Sequence, residues 1–111
     1  VAYQRSGDFL VASGPGGYNE IQYAALQLMI AHCSGFEPGT FVHTVVNHHI
    51  YDRHLETTED LVHTKIPTTE TPRPRLYLDT DEKRFFKIKL EDFRLENYNF
   101  VKDVKGIEVA E

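Results

Sequence analysis

The stretch Tyr3-Gln4-Arg5-Ser6-Gly7-Asp8-Phe9-Leu10-Val11-Ala12 alternates loosely and then runs apolar, so residues 1 to 12 read as a β-strand. Within it Arg5, Ser6 and Asp8 set a guanidinium, a hydroxyl and a carboxylate close together. Arg offers forked donors and a permanent charge that suit a phosphate, Ser adds a donor, and Gly7 lets backbone approach closely. Asp8 cannot serve the same anion and needs a partner that donates, such as a ring N–H. On an ideal strand Arg5 and Ser6 point to opposite faces, so a shared phosphate calls for a bulge near Gly7. Taken alone, the hexapeptide is more simply a surface Arg/Asp pair at a strand end.

Outward from this strand, Ser13-Gly14-Pro15-Gly16-Gly17 lacks the spacing of a Walker loop or a dinucleotide fingerprint and reads as a turn. From Tyr18 to Ser34 apolar residues recur at helical spacing on almost every face, the pattern of a long buried helix. Asn19 at its start is a natural N-cap, and Met29 and Cys33 read as core. Gly35 to Gly39 closes the helix, and Thr40 to Tyr51 is a β-prone run. Alternation puts His43, Val45, Asn47, His49 and Tyr51 on one face of that strand. His48, His49 and His54 raise the question of a metal, but the strand splits His48 from His49 and the spacing matches no familiar ligand set, so none is expected.

A shorter helix from Asp52 or Arg53 to about Lys65 follows, with Leu55, Leu61 and Val62 turned inward. The proline-rich 67–75 segment breaks regular structure. Leu76-Tyr77-Leu78 reads as a short strand and Phe85 to Leu90 as a cleanly alternating one. Phe93 to Phe100 and Ile107 to Ala110 read as further extended pieces.

The 111 residues allow one domain, and 41% hydrophobic with 26% charged content is that of a globular chain. A net charge of −5 argues against a general nucleic-acid or acidic-membrane binder, so a bound phosphate needs a local site. The single cysteine, Cys33, excludes an internal disulfide framework and fits a reducing, cytoplasmic setting. No stretch is long and apolar enough to span a membrane. Val1 opens straight into strand-like sequence without a signal-peptide layout, which predicts a start inside a domain.

The ordered set Tyr3-Gln4-Arg5-Ser6-Gly7-Asp8, Tyr18-Asn19 opening a helix with Gln22-Tyr23-Ala24-Ala25-Leu26, His49-Ile50-Tyr51 with His54, Pro72-Arg73-Pro74 and Glu91-Asp92-Phe93-Arg94-Leu95-Glu96-Asn97-Tyr98 resembles the C-terminal half of thymidylate synthase. The Arg-Ser-x-Asp and His-x-Tyr elements are weak singly; their order across nearly the whole chain is specific. The resemblance implies an α/β (α+β) fold, part of a large mixed sheet with a long buried helix and a shorter one, whose sheet face meets a second subunit, hence a homodimer. It implies that the parent enzyme is a methyltransferase converting dUMP to dTMP with 5,10-methylenetetrahydrofolate and no metal. Arg5 and Ser6 would then hold the phosphate of dUMP, Asn19 the pyrimidine O4 and N3–H, and His49 and Tyr51 the ribose 3′-hydroxyl. Asp8 would meet the pterin ring of the folate.

Departures accompany the resemblance. The family's nucleophilic cysteine lies upstream of the Arg-Ser element, so residues 1–111 are expected to be incomplete without an N-terminal half and inactive alone. The connection from Asp8 to Asn19 is longer than the family's, Asn47 stands where the family has Asp, and the chain ends in Glu111 rather than an apolar residue. Two other readings remain: a pyrimidine nucleotide hydroxymethylase, in which water completes the reaction, and a non-catalytic nucleotide-binding module. A partial sheet leaves apolar faces uncovered, which predicts self-association.

Overall fold

The computed structural model describes residues 1–12, 14, 17–64, 72–98 and 107. Two strands, β1 (Ala2–Asp8) and β2 (His43–His49), pair in parallel, and a parallel pair needs a long crossover. Helix α1 (Tyr18–Ser34) lies within that crossover. The register runs without a slip from Ala2 opposite His43 to Asp8 opposite His49. The bulge expected at Gly7 is therefore absent, and Arg5 and Ser6 are both exposed on an unbroken strand. The strand also ends earlier than read from sequence, because Phe9 to Ala12 turn back, with Ala12 N–H donating to the Asp8 carbonyl at 3.1 Å.

Glycines bound α1 at both ends. Gly17 stands at the N-cap with φ 57° and Gly35 follows the last turn with φ 75°, left-handed conformations that glycine adopts without a Cβ penalty. Gly35 N–H reaches the His32 carbonyl at 3.4 Å and Phe36 N–H reaches the Ala31 carbonyl at 2.9 Å, the paired bonds of a Schellman motif. No side chain caps the N-terminus, so the expected N-cap role of Asn19 does not hold; Asn19 lies inside the first turn. The helix end is tied down by His32 Nε2–H donating to the Glu82 carbonyl at 2.9 Å and Lys83 Nζ donating to the His32 carbonyl at 3.1 Å.

The α/β class holds, but the burial does not follow the sequence pattern. In α1 only Ala31 is buried among the described residues, while Ile21 and Ile30 remain 57% and 51% exposed. The segments packed against the helix are too few to cover an apolar surface that wraps it. Leu10 is the other buried apolar residue among those described. After β2 a single tight 3₁₀ turn (Asp52–His54) leads into α2 (Leu55–His63). Leu55 and Val62 were expected inward and are instead exposed; His54 and Thr58 occupy the buried positions.

A second sheet pairs β3 (Arg75–Leu78) with β4 (Phe93–Glu96) antiparallel. Arg94 lies 4.3 Å over the Tyr77 ring and bonds Asp79 and Glu96. Asn97, in the left-handed region at φ 56°, follows β4. The two sheets are separate, and α1 packs against β3 and the turn at Phe85–Lys87. The alternating run Phe85 to Leu90 is not a strand: it contains one 3₁₀ turn at Phe85–Lys87 and starts a second at Leu90–Asp92. Asp92 Oδ2 accepts the Lys89 N–H at 2.8 Å and closes the second turn, leaving Phe86 and Leu90 exposed. Expected extended structure over 99–100 and over most of 107–110, and the helix end at Lys65, lie outside the described residues. Among the described residues no helix is long and apolar enough to cross a membrane.

Candidate functional site

Parallel pairing brings the polar ends of β1 and β2 together. Ser6 sits opposite Asn47 and Asp8 opposite His49. Ser6 Oγ lies 3.5 Å from both the Asn47 carbonyl and His49 Nδ1, and Asn47 Nδ2 donates to Ser6 Oγ at 3.4 Å. His49 Nδ1 approaches the Asn47 carbonyl at 3.1 Å, a contact that needs a proton on Nδ1. The His49 ring meets Tyr51 edge-to-face at 5.0 Å, and Tyr51 meets His54 in the same manner at 5.8 Å. Ser6, Asn47, His49 and Tyr51 thus form one polar, partly aromatic patch, with Arg5 exposed on the strand immediately before Ser6.

Asp8 is turned inward. Its Oδ2 accepts the Val11 N–H at 2.9 Å, an Asx-type turn that bends the chain out of β1. Its Oδ1 is covered, lies 3.9 Å from His54 Nδ1, and has no hydrogen-bond partner among the described residues. That distance is beyond a hydrogen bond, so one carboxylate oxygen keeps unspent acceptor capacity.

Asn19 is linked to the same strand end by short backbone steps. Ala12 N–H bonds the Asp8 carbonyl, and Asn19 N–H bonds the Ala12 carbonyl at 3.0 Å. Because Gly17 occupies the N-cap position, the Asn19 side-chain amide is not spent on capping. His48 points away from this patch and its ring lies 5.4 Å from that of Phe9. Among the described residues no three His, Cys, Asp or Glu side chains stand together as a metal site. Cys33 is a half-buried free thiol on α1. An apolar groove between Tyr23, Leu26, Ile30 and Phe41 contains none of the expected site residues.

The thymidylate synthase family profile matches residues 1–110. The chain belongs to the thymidylate synthase family. Thymidylate synthase of Streptococcus suis (strain 05ZYH33) is 44% identical over 108 residues, covering 96% of this chain and 37% of that relative. Thymidylate synthase of Streptococcus thermophilus (strain ATCC BAA-491 / LMD-9) is also 44% identical over 108 residues, with 96% and 36% covered. The solved thermostable thymidylate synthase A from Bacillus subtilis superposes with a TM-score of 0.77 at 28% identity, covering 96% of this chain and 36% of that one. The chain therefore spans just over a third of the length of the curated thymidylate synthases it matches.

Sequence reasoning missed one cluster. His43 is nearly buried, with Nδ1 at 3.1 Å from Glu20 Oε1 and Nε2 at 3.1 Å from Gln4 Oε1. Alternation had set His43 on the face shared with Asn47 and His49, but nothing in the spacing pointed to Glu20, which comes from another element.

Proposed function

We propose that this chain supplies the nucleotide-binding wall of a thymidylate synthase whose full-length form methylates dUMP to dTMP with 5,10-methylenetetrahydrofolate. The observation that carries the reading is the joining of Ser6, Asn47 and His49 across β1 and β2, on a strand that also presents Arg5. Ser6 donates its hydroxyl to the phosphate, and Arg5, which the unbroken strand turns to the other face, reaches the same phosphate by wrapping its long charged side chain round the strand. Asn19 gives one donor and one acceptor to the pyrimidine O4 and N3–H, a pattern that uracil matches and cytosine does not. His49 and Tyr51 hold the ribose 3′-hydroxyl.

The folate would meet this chain at Asp8, whose Oδ1 has acceptor capacity left for a pterin N–H but is covered here, so the contact requires the carboxylate to turn out of its bend at Val11. When bound, the folate supplies the one-carbon unit and the hydride. The nucleophilic thiol belongs to a region upstream of Arg5 in the family pattern, and Cys33, on α1, does not take its place. The chain alone therefore does not turn over, and it works in a reducing, cytoplasmic setting as part of a homodimer formed through a sheet face.

Calorimetric titration with dUMP, with dCMP and an Arg5→Ala variant as controls, tests the assignment. The expected result is dUMP binding that weakens by about tenfold or more in Arg5→Ala and exceeds dCMP binding. Equal affinity for the two nucleotides would sink the role of Asn19, and an unaltered Arg5→Ala variant would sink the phosphate site.

A further inference from the structure

The cluster around His43 joins the three elements that carry the nucleotide contacts. His43 opens β2 and stands opposite Ala2 of β1. Its side chain is 9% exposed, with Phe41 stacked on it at 6.1 Å and Tyr23 of α1 tilted against it at 6.1 Å. Glu20 reaches its Nδ1 from the first turn of α1, one residue after Asn19. Gln4 reaches its Nε2 from β1, one residue before Arg5, and donates its own Nε2–H to the Ser6 carbonyl at 2.7 Å. That last bond orients the Gln4 amide with its oxygen toward His43. Both ring nitrogens thus face acceptors, at 3.1 Å each, and the ring N–H donates into this pair from between two elements. The hydrogen bonds are charge-assisted on the Glu20 side and sit behind aromatic rings, where an unmade polar contact is costly.

We propose that His43 is a positioning residue for nucleotide recognition: clamped between Glu20 and Gln4, it sets the spacing between Asn19 on α1 and the Arg5-Ser6 segment on β1. It touches no nucleotide atom itself. This rests on the assignment of Arg5, Ser6 and Asn19 made above. A nucleotide whose base and phosphate are read from different elements binds tightly only when those elements keep their separation, so loosening the clamp weakens binding and blurs the choice of base.

The test is calorimetric titration of the 111-residue chain and its variants with dUMP and dCMP. His43→Phe keeps an aromatic ring and removes both ring nitrogens; Glu20→Leu removes the acceptor on α1; Glu20→Gln keeps an acceptor. Loss of dUMP affinity by about tenfold in His43→Phe and Glu20→Leu, with a narrowed dUMP-to-dCMP ratio and recovery to within about twofold in Glu20→Gln, is the expected result. A role in stability alone would lower the melting temperature and leave that ratio untouched. An unchanged ratio in His43→Phe, while Arg5→Ala still weakens dUMP, overturns the clamp and spares the phosphate site. An Arg5→Ala variant that binds like the unaltered chain overturns the phosphate assignment and the clamp with it. If His43→Phe fails to fold, Gln4→Leu is read against the same ratio.

Discussion

At the residue scale, the functional candidates divide according to what holds them. Ser6 and His49 are set by strand register, so their meeting followed from two alternating patterns once the strands were known to pair in parallel. Asp8 could not be read that way. Its carboxylate is drawn back onto Val11 N–H by a local turn, and a side chain that can serve its own backbone does so when the chain bends. The strongest local perturbation lies elsewhere, at Glu82. The Arg84 guanidinium bonds both its oxygens, at 2.9 and 2.7 Å, and the Arg84 N–H adds a third bond, holding the carboxyl down to about 2 from an ordinary 4.5. A lowered carboxyl contributes stability that is present above 4.5 and lost as pH falls through about 2. NMR titration of the Glu82 side chain is expected to show a midpoint near 2, rising toward 4.5 in Arg84→Ala. A midpoint that stays put in the variant would mean the guanidinium is not the cause.

At the element scale, α1 was legible to the residue, because its bounds coincide with punctuation that acts locally. Gly35 allows the left-handed residue that lets Phe36 and Gly35 bond back to Ala31 and His32. A Cβ at Gly35 would meet nothing within 4 Å, so a Gly35→Ala change isolates the backbone cost. We expect a loss of about 1 kcal/mol in urea unfolding, with circular dichroism of the native state unaltered. A neutral substitution would show that the helix ends another way. Phe85 to Leu90 shows the opposite case. Period-two alternation states that a segment can be a strand, but a strand exists only when a partner supplies the ladder, and here Asp92 satisfies the Lys89 N–H instead.

At the scale of the whole molecule, large apolar side chains of the described residues stand in solvent. Tyr3, at 76% exposed, and Val46, at 75%, stand out from the β1–β2 pair, and Phe86 is 94% exposed. Apolar surface of this kind is stabilised by association. Sedimentation velocity above micromolar concentration is expected to show species larger than 12.8 kDa. Replacing Tyr3 and Val46 together by Ser and Thr would reduce them if the sheet face is the contact. A strictly monomeric profile would contradict self-association altogether.

The sequence by itself determined the α/β class, the extent of α1, the existence of β1, β2, β3 and β4, and the residue types able to bind a nucleotide. Each of these depends on periodicity, on turn chemistry or on the order of motifs along the chain, all of which act over short range. The tertiary structure alone decided that β1 and β2 pair without a bulge, that α1 is only partly buried, and that Asp8 folds inward. It also decided that Glu20 and Gln4 converge on His43. Burial and side-chain partnership depend on which surfaces are brought opposite one another, and residues such as Glu20 and His43, distant in sequence, carry no local mark of the contact they make.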